Sequence, residues 1–221
     1  MYKFRFFLVS FLFLTCTLFS QNNKVFIKSE KVLYKSTEQG DLNLYFYRPL
    51  DFDDSKAYNC IIFFHGGGWN SGDYKQFERQ SMYFASRGMV AISAEYRIKN
   101  KHGTSPINAM EDAKSAIRFL RLNSKSFSIN PDRIAAAGGS AGGHLAAVTA
   151  NINLFDNKNE DLNVSSKPNL LILYNPVIDF GSRKWLWINN PSNASHIHNI
   201  KEGSPPTIIL SVTEDKIVPF E

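Results

Sequence analysis

Cysteine is scarce in this chain: Cys16 and Cys60 are the only two, and Cys16 lies inside an apolar N-terminal stretch. Once residues 1–20 are read as a signal peptide, one cysteine remains, which excludes an internal disulfide framework. Cys60 has no second cysteine or suitably spaced histidine beside it. It therefore reads as a buried strand residue rather than a metal ligand. Long hydrophobic runs are also missing. The longest, from Phe6 to Phe19, is about 14 residues against the roughly 20 that a membrane helix needs, so no stable membrane span is expected. Positive charge is modest, and the net +5 falls to +3 when Lys3 and Arg5 leave with the signal peptide. The lysines are scattered, with no basic cluster interleaved with aromatics, which excludes nucleic acid as a partner. There is no internal repeat, low-complexity tract or heptad run.

The N-terminus carries the features of export. Lys3 and Arg5 precede the apolar stretch, and Ser20 stands before the polar shift at Gln21-Asn22-Asn23. This is the pattern of a secretory signal peptide and predicts a secreted or periplasmic protein. Lipid attachment at Cys16 is disfavoured, because Phe13-Leu14-Thr15 is a poor lead-in. The remaining residues, 21–221, suit one domain with one sizeable core.

The periodicity predicts an α/β fold. Val25 to Ser36 and Leu42 to Arg48 alternate apolar and polar residues around Glu38-Gln39-Gly40-Asp41, which suggests an antiparallel hairpin. Five apolar runs follow, at Cys60–Phe64, Met89–Ala94, Ile134–Ala137, Leu170–Tyr174 and Thr207–Val212. Helical patterns fall between most of them. In the clearest, Ser105 caps, Pro106 takes the first turn, and Met110, Ala113, Ile117 and Leu120 share one face. Strands alternating with helices imply a mostly parallel sheet with helices on both faces. From Asp179 to Pro205 no period is visible. That segment reads as an irregular insertion, either a lid bordering the substrate or a loop covering the core.

Two glycine-rich motifs carry the chemistry. Gly138-Gly139-Ser140-Ala141-Gly142-Gly143 follows a strand and opens a small-residue helix, the context in which a G-x-S-x-G turn presents a serine nucleophile. It has no lysine in the P-loop position and lacks the spacing of a dinucleotide fingerprint. His65-Gly66-Gly67-Gly68-Trp69 directly follows the Cys60–Phe64 run. A glycine run of this kind lets backbone N–H groups approach a developing oxyanion without side-chain clash. Motifs that serve one reaction, in this order, point to acyl transfer.

With Glu95-Tyr96-Arg97, Glu111-Asp112-Ala113, Pro131-Asp132-Arg133-Ile134, His144 after the serine motif, and Thr213-Glu214-Asp215-Lys216-Ile217-Val218-Pro219, the chain resembles the α/β-hydrolase superfamily. Within it the similarity is to bacterial esterases with an HGGG loop, of the hormone-sensitive-lipase-like and carbohydrate-esterase-like, BD-FAE-like branches. The resemblance runs from about Leu42 onward. It implies Ser140 as nucleophile, Asp215 as triad acid, and Gly67, Gly68 and Ala141 as oxyanion donors, with His65 and Gly66 ordering the loop. It implies His144 as a helix-packing residue and no metal or organic cofactor. The family places its catalytic histidine after the acid, and no histidine follows Asp215 here. The expectation is therefore a sequence lacking the last strand and helix together with the base.

Other readings of these residues stay open. Asp215 could cap a following helix, with Asp179 as the reserve acid. His196 and His198 read as surface loop residues. The function expected is hydrolysis of short acyl or acetyl esters, on small molecules or carbohydrates. A prolyl-type serine peptidase would share Ser140 and Asp215, and a truncated hydrolase fold could be inactive.

Overall fold

The computed structural model describes residues 27–179, 190–216 and 218. The signal-peptide expectation for residues 1–20, and most of the irregular stretch at 180–189, lie outside the described residues. Strands β1 (Glu30–Thr37) and β2 (Gly40–Tyr47) form the expected hairpin, turning at Glu38-Gln39 with Gly40 at φ +123°. The register shifts between Leu33 and Lys35, an irregularity that alternation alone does not predict. The five apolar runs become β3 (Tyr58–Phe64), β4 (Val90–Ala94), β5 (Ile129–Gly139), β6 (Leu170–Tyr174) and β7 (Thr207–Leu210). The sheet has seven strands in the order β1-β2-β4-β3-β5-β6-β7. The β1–β2 and β2–β4 pairings are antiparallel and all the others parallel.

Strand residues alternate between two apolar layers, as the pleat requires. Cys60, Ile62 and Phe64 pack on one face with α3 (Pro106–Leu122) and α4 (Ala141–Asn151). Ile61 and Phe63 pack on the other with Ala85 of α1 (Glu78–Ser86). Helices therefore cover both faces. A short helix, α2 (Lys99–His102), precedes α3. At the start of α3, the N–H and hydroxyl of Ser105 both donate to Oδ1 of Asn108, and Pro106 occupies the first turn. Among the described residues, the connection from β6 to β7 holds only two short 3₁₀ turns, Pro191–Ala194 and Ile197–Asn199. No helix among the described residues is long and apolar enough to cross a membrane.

One buried charge cluster ties the hairpin to the rest. Asp112 of α3 is fully buried, and its carboxylate accepts from Nε and Nη2 of Arg97 at 2.8 and 2.7 Å. Lys35 Nζ of β1 lies 2.8 Å from the same carboxylate and 2.8 Å from Glu111. The Glu95-Tyr96-Arg97 and Glu111-Asp112-Ala113 motifs thus meet in space. A paired, hydrogen-bonded charge is the form in which a buried carboxylate is tolerated.

Candidate active site

Strand register decides where the site forms. Phe64 pairs with Gly138, Gly139 with Tyr174, and Tyr174 with Leu210, so β3, β5, β6 and β7 end at one level. Their loops share the carboxyl edge of the sheet, where open α/β sheets bind ligands. The two glycine motifs leave β3 and β5 side by side.

Ser140 sits at φ +53°, ψ −117°, a left-handed backbone that a non-glycine residue adopts at a cost. Three backbone bonds hold it there. Its N–H donates to the Tyr174 carbonyl at 2.9 Å, and its own carbonyl accepts from His144 N–H at 3.1 Å and Val177 N–H at 3.3 Å. The turn closes only because its neighbours lack side chains. A Cβ on Gly142 would stand 2.0 Å from the Phe64 carbonyl oxygen, and one on Gly138 would stand 2.4 Å from the Gly142 carbonyl. Strand β3, strand β5 and helix α4 cross at van der Waals minimum, with the half-buried serine at the turn between strand and helix.

The HGGG loop lies directly against it. A Cβ on Gly66 would be 3.6 Å from Ser140 Cβ and 3.0 Å from the Gly139 carbonyl oxygen. Three consecutive backbone groups of the loop are gripped by side chains from three directions. The His65 carbonyl accepts from the Tyr96 hydroxyl at 2.7 Å. The buried N–H of Gly66 donates to Oε1 of Gln76, and the Gly66 carbonyl accepts from Nδ1 of His65 at 2.8 Å. That bond fixes the imidazole proton on Nδ1. Burial lowers the His65 pKa, the bond to Gly66 opposing it, so the ring is neutral and structural at pH 7. It stacks on Tyr96 with centroids 4.2 Å apart. Beyond this clamp the chain runs through φ +122°, +62° and +60° at Gly67, Gly68 and Trp69, and both glycines are exposed. Among the described residues, no backbone bond outside the helices and strands takes the N–H of Gly67 or Gly68. The N–H of Ala141, at the first position of α4, is an orphan donor by helix geometry.

Asp215 stands on the same edge. Its Oδ2 accepts from Nδ2 of Asn175 at 2.7 Å, and its Oδ1 from the N–H of Val218 at 2.9 Å. Asn175 directly follows Tyr174, the residue whose carbonyl holds Ser140. Asp215 is thus linked to the serine turn through two adjacent residues of the β6 end. Asp179, the reserve acid, turns towards the insertion, with Oδ1 at 3.5 Å from Ser195 Oγ and 4.0 Å from His198 Nδ1.

The histidines divide differently from expectation. His144 is fully buried one turn after Ser140, packs edge-on to Trp69, and its Nε2 bonds to the Ala194 carbonyl at 2.7 Å. Burial pushes its pKa down to about 4, partly opposed by that bond. His198 is exposed, as expected. His196 is not a surface residue: only 4 % of it is exposed, and its Nδ1 meets Asn151 Nδ2 at 3.1 Å. The expectation failed because the segment around it docks on α4, so that the end of a buried helix supplies a polar partner. Gln76, Tyr96 and Asn175 received no role in the sequence reading. Tyr96 stood inside a quoted motif, which was a usable signal; Gln76 and Asn175 had none.

The chain matches the BD-FAE family over residues 44–192. It is 30% identical over 194 residues to endo-1,4-beta-xylanase B of Butyrivibrio fibrisolvens, covering 81% of this chain and 30% of that protein. It is 24% identical over 234 residues to the acetylxylan esterase of Xylanibacter ruminicola, covering 96% of this chain and 43% of that protein. The chain spans less than half the length of these two relatives. Among solved structures it is similar to esterase 2 of Thermogutta terrifontis phosphorylated by paraoxon, with 43% identity and a TM-score of 0.83 over 87% of this chain and 73% of that one. The family match covers more than half of the sequence, and the sheet is mostly parallel with helices on both faces, so this chain belongs to the BD-FAE family and has the α/β-hydrolase fold.

Proposed function

We propose that this chain carries the nucleophile and oxyanion site of a serine esterase that cleaves short acyl esters, acetyl groups on carbohydrate among them. The observation that carries this reading is the packing of the glycine loop on the serine turn, where a Cβ on Gly66 would stand 3.6 Å from Ser140 Cβ, so that a strained serine lies beside the loop amides. Ser140 Oγ attacks the ester carbonyl, and the N–H groups of Gly67, Gly68 and Ala141 receive the charge that develops on its oxygen. The alcohol leaves, and water then hydrolyses the acyl-enzyme. In the mechanism the resemblance implies, the proton passes through a histidine oriented by Asp215. His65 and His144 support the site without moving protons, since each ring nitrogen named above is committed to a backbone carbonyl.

The carbohydrate assignment draws support from two similar proteins, one named a xylanase and the other an acetylxylan esterase. Export through residues 1–20 would bring such an enzyme to extracellular polysaccharide. The test uses the full-length secreted product. A fluorophosphonate probe should add one mass to the peptide carrying Ser140, and acetate should be released from p-nitrophenyl acetate and from acetylated xylan. Absence of the Ser140 adduct in the folded protein would end the esterase reading. Release from p-nitrophenyl acetate alone would remove the carbohydrate part.

A further inference from the structure

We propose that Gln76 is a positioning residue that holds the oxyanion loop through the N–H of Gly66. The proposal rests on the reading of Ser140 and the glycine loop as the ester-cleaving centre. Gln76 belongs to a 3₁₀ turn, Tyr74–Phe77, built as a rigid support. The Oδ1 of Asp73 caps that turn by accepting from the N–H of Lys75 at 2.8 Å. On one side Tyr74 stacks on Tyr45 of β2 with centroids 3.4 Å apart. On the other, Phe77 is buried and stacks on Phe63 of β3 at 5.1 Å. Tyr74 and Phe77 thereby anchor the two ends of the turn to the sheet, and Gln76 lies between them, its side chain bonded to Gly66.

Its carbonyl oxygen meets a donor that needs it. Gly66 is buried, and a buried backbone N–H without an acceptor costs about as much as a lost hydrogen bond. Gln76 Oε1 supplies that acceptor and also lies 3.4 Å from the Cβ position of Gly66, on the side facing Ser140. The residues that follow are two glycines and a tryptophan, all at positive φ, a stretch whose direction is set by whatever fixes its first peptide. His65 holds the carbonyl of Gly66 and Gln76 its N–H, so the peptide planes on either side of Gly66 cannot rotate. The aim of the Gly67 and Gly68 amides follows from that. Without Gln76 the substrate still binds, but the donors no longer meet the oxyanion as it forms, so the loss falls on the transition state.

The experiment compares wild type, Gln76→Met, Gln76→Ala and Lys75→Met in the full-length protein. Gln76→Met keeps length and loses the acceptor; Lys75→Met alters the same turn without touching the loop. For Gln76→Met and Gln76→Ala we expect kcat on p-nitrophenyl acetate to fall about 10-fold, less than the loss of a whole oxyanion donor. KM should stay within about twofold, and the Ki of a trifluoromethyl ketone, which forms a tetrahedral adduct, should rise in proportion to the kcat loss. Lys75→Met should match wild type. Hydrogen exchange of a peptide spanning Phe63–Asn70 should quicken in both Gln76 variants. Unchanged kcat and Ki in an active protein, or a raised KM with kcat intact, would overturn the assignment. An inactive wild type would instead count against the esterase reading, and the exchange measurement would then decide alone whether Gln76 holds the loop.

Discussion

The hydroxyl of Tyr96 donates to the carbonyl of His65 at 2.7 Å while its ring stacks on the same residue's imidazole, so one side chain from the end of β4 fixes both the backbone and the ring at the entry to the glycine loop. Removing only the oxygen separates these roles. Tyr96→Phe keeps the stack and leaves a buried carbonyl without its donor, which should lower unfolding free energy by about 1–3 kcal/mol. Urea titration of both proteins measures it, and an unchanged midpoint would show that the carbonyl finds another donor.

The crossing of β3 and α4 predicts a sharp contrast between two glycines. Gly142→Ala would drive a Cβ to 2.0 Å from the Phe64 oxygen and 2.4 Å from the His65 oxygen, both backbone atoms that cannot yield. It should cost about 3 kcal/mol or more and abolish turnover, as an overpacked core does. Gly88→Ala meets nothing within 4 Å and bears only the strain of φ +83°, so about 1 kcal/mol is expected. Thermal melts and activity on p-nitrophenyl acetate would rank them, and similar losses would contradict the packing argument.

Acid should weaken the fold through His144. Its folded pKa, about 4, lies below the unfolded value of 6.5, so the unfolded chain binds the proton more readily. The contribution of the neutral ring is fully present above about pH 6.5 and is lost progressively as pH falls towards 4, amounting to about 3 kcal/mol at 1.36 kcal/mol per unit. His144→Gln retains a donor for the Ala194 carbonyl and removes the titration. The variant should be less stable at pH 7 but should lose less on acidification to pH 4.5 than wild type. Parallel curves of melting temperature against pH would assign the acid sensitivity elsewhere.

Much of the architecture was readable beforehand, and the reason is local. Continuous apolar runs marked β3 and β4 because a strand covered on both faces needs no polar side, while β7 is equally apolar yet exposed, and Ser105-Pro106 marked α3 by its cap. What escaped were relationships between distant segments. Strand β5 begins at Ile129, before the polar Pro131-Asp132-Arg133 at which an apolar criterion starts too late. The partner of Tyr96 is a carbonyl 31 residues away, and a backbone group leaves no trace in residue identity. Gln76 escaped for the same reason. His196 misled because a polar residue among serines and asparagines looks solvated until its docking partner, Asn151, is known.

The charge cluster gives a further expectation. Asp112→Asn would leave Arg97 and Lys35 facing a neutral amide in a fully buried position, and breaking such a pair typically costs about 3–5 kcal/mol. The loss should appear in denaturant midpoint with little change in KM, because the cluster touches the hairpin and α3 rather than the serine turn. An increase in stability would show that desolvation outweighs attraction there.

The contact of Gly142 with the Phe64 and His65 carbonyls leaves no slack between the segment bearing the nucleophile and the segment bearing the charge-stabilising amides. Neither can wander while the other stays put. Heat should therefore extinguish turnover at the same temperature at which far-ultraviolet ellipticity collapses, with no warm interval in which an ordered but idle enzyme accumulates.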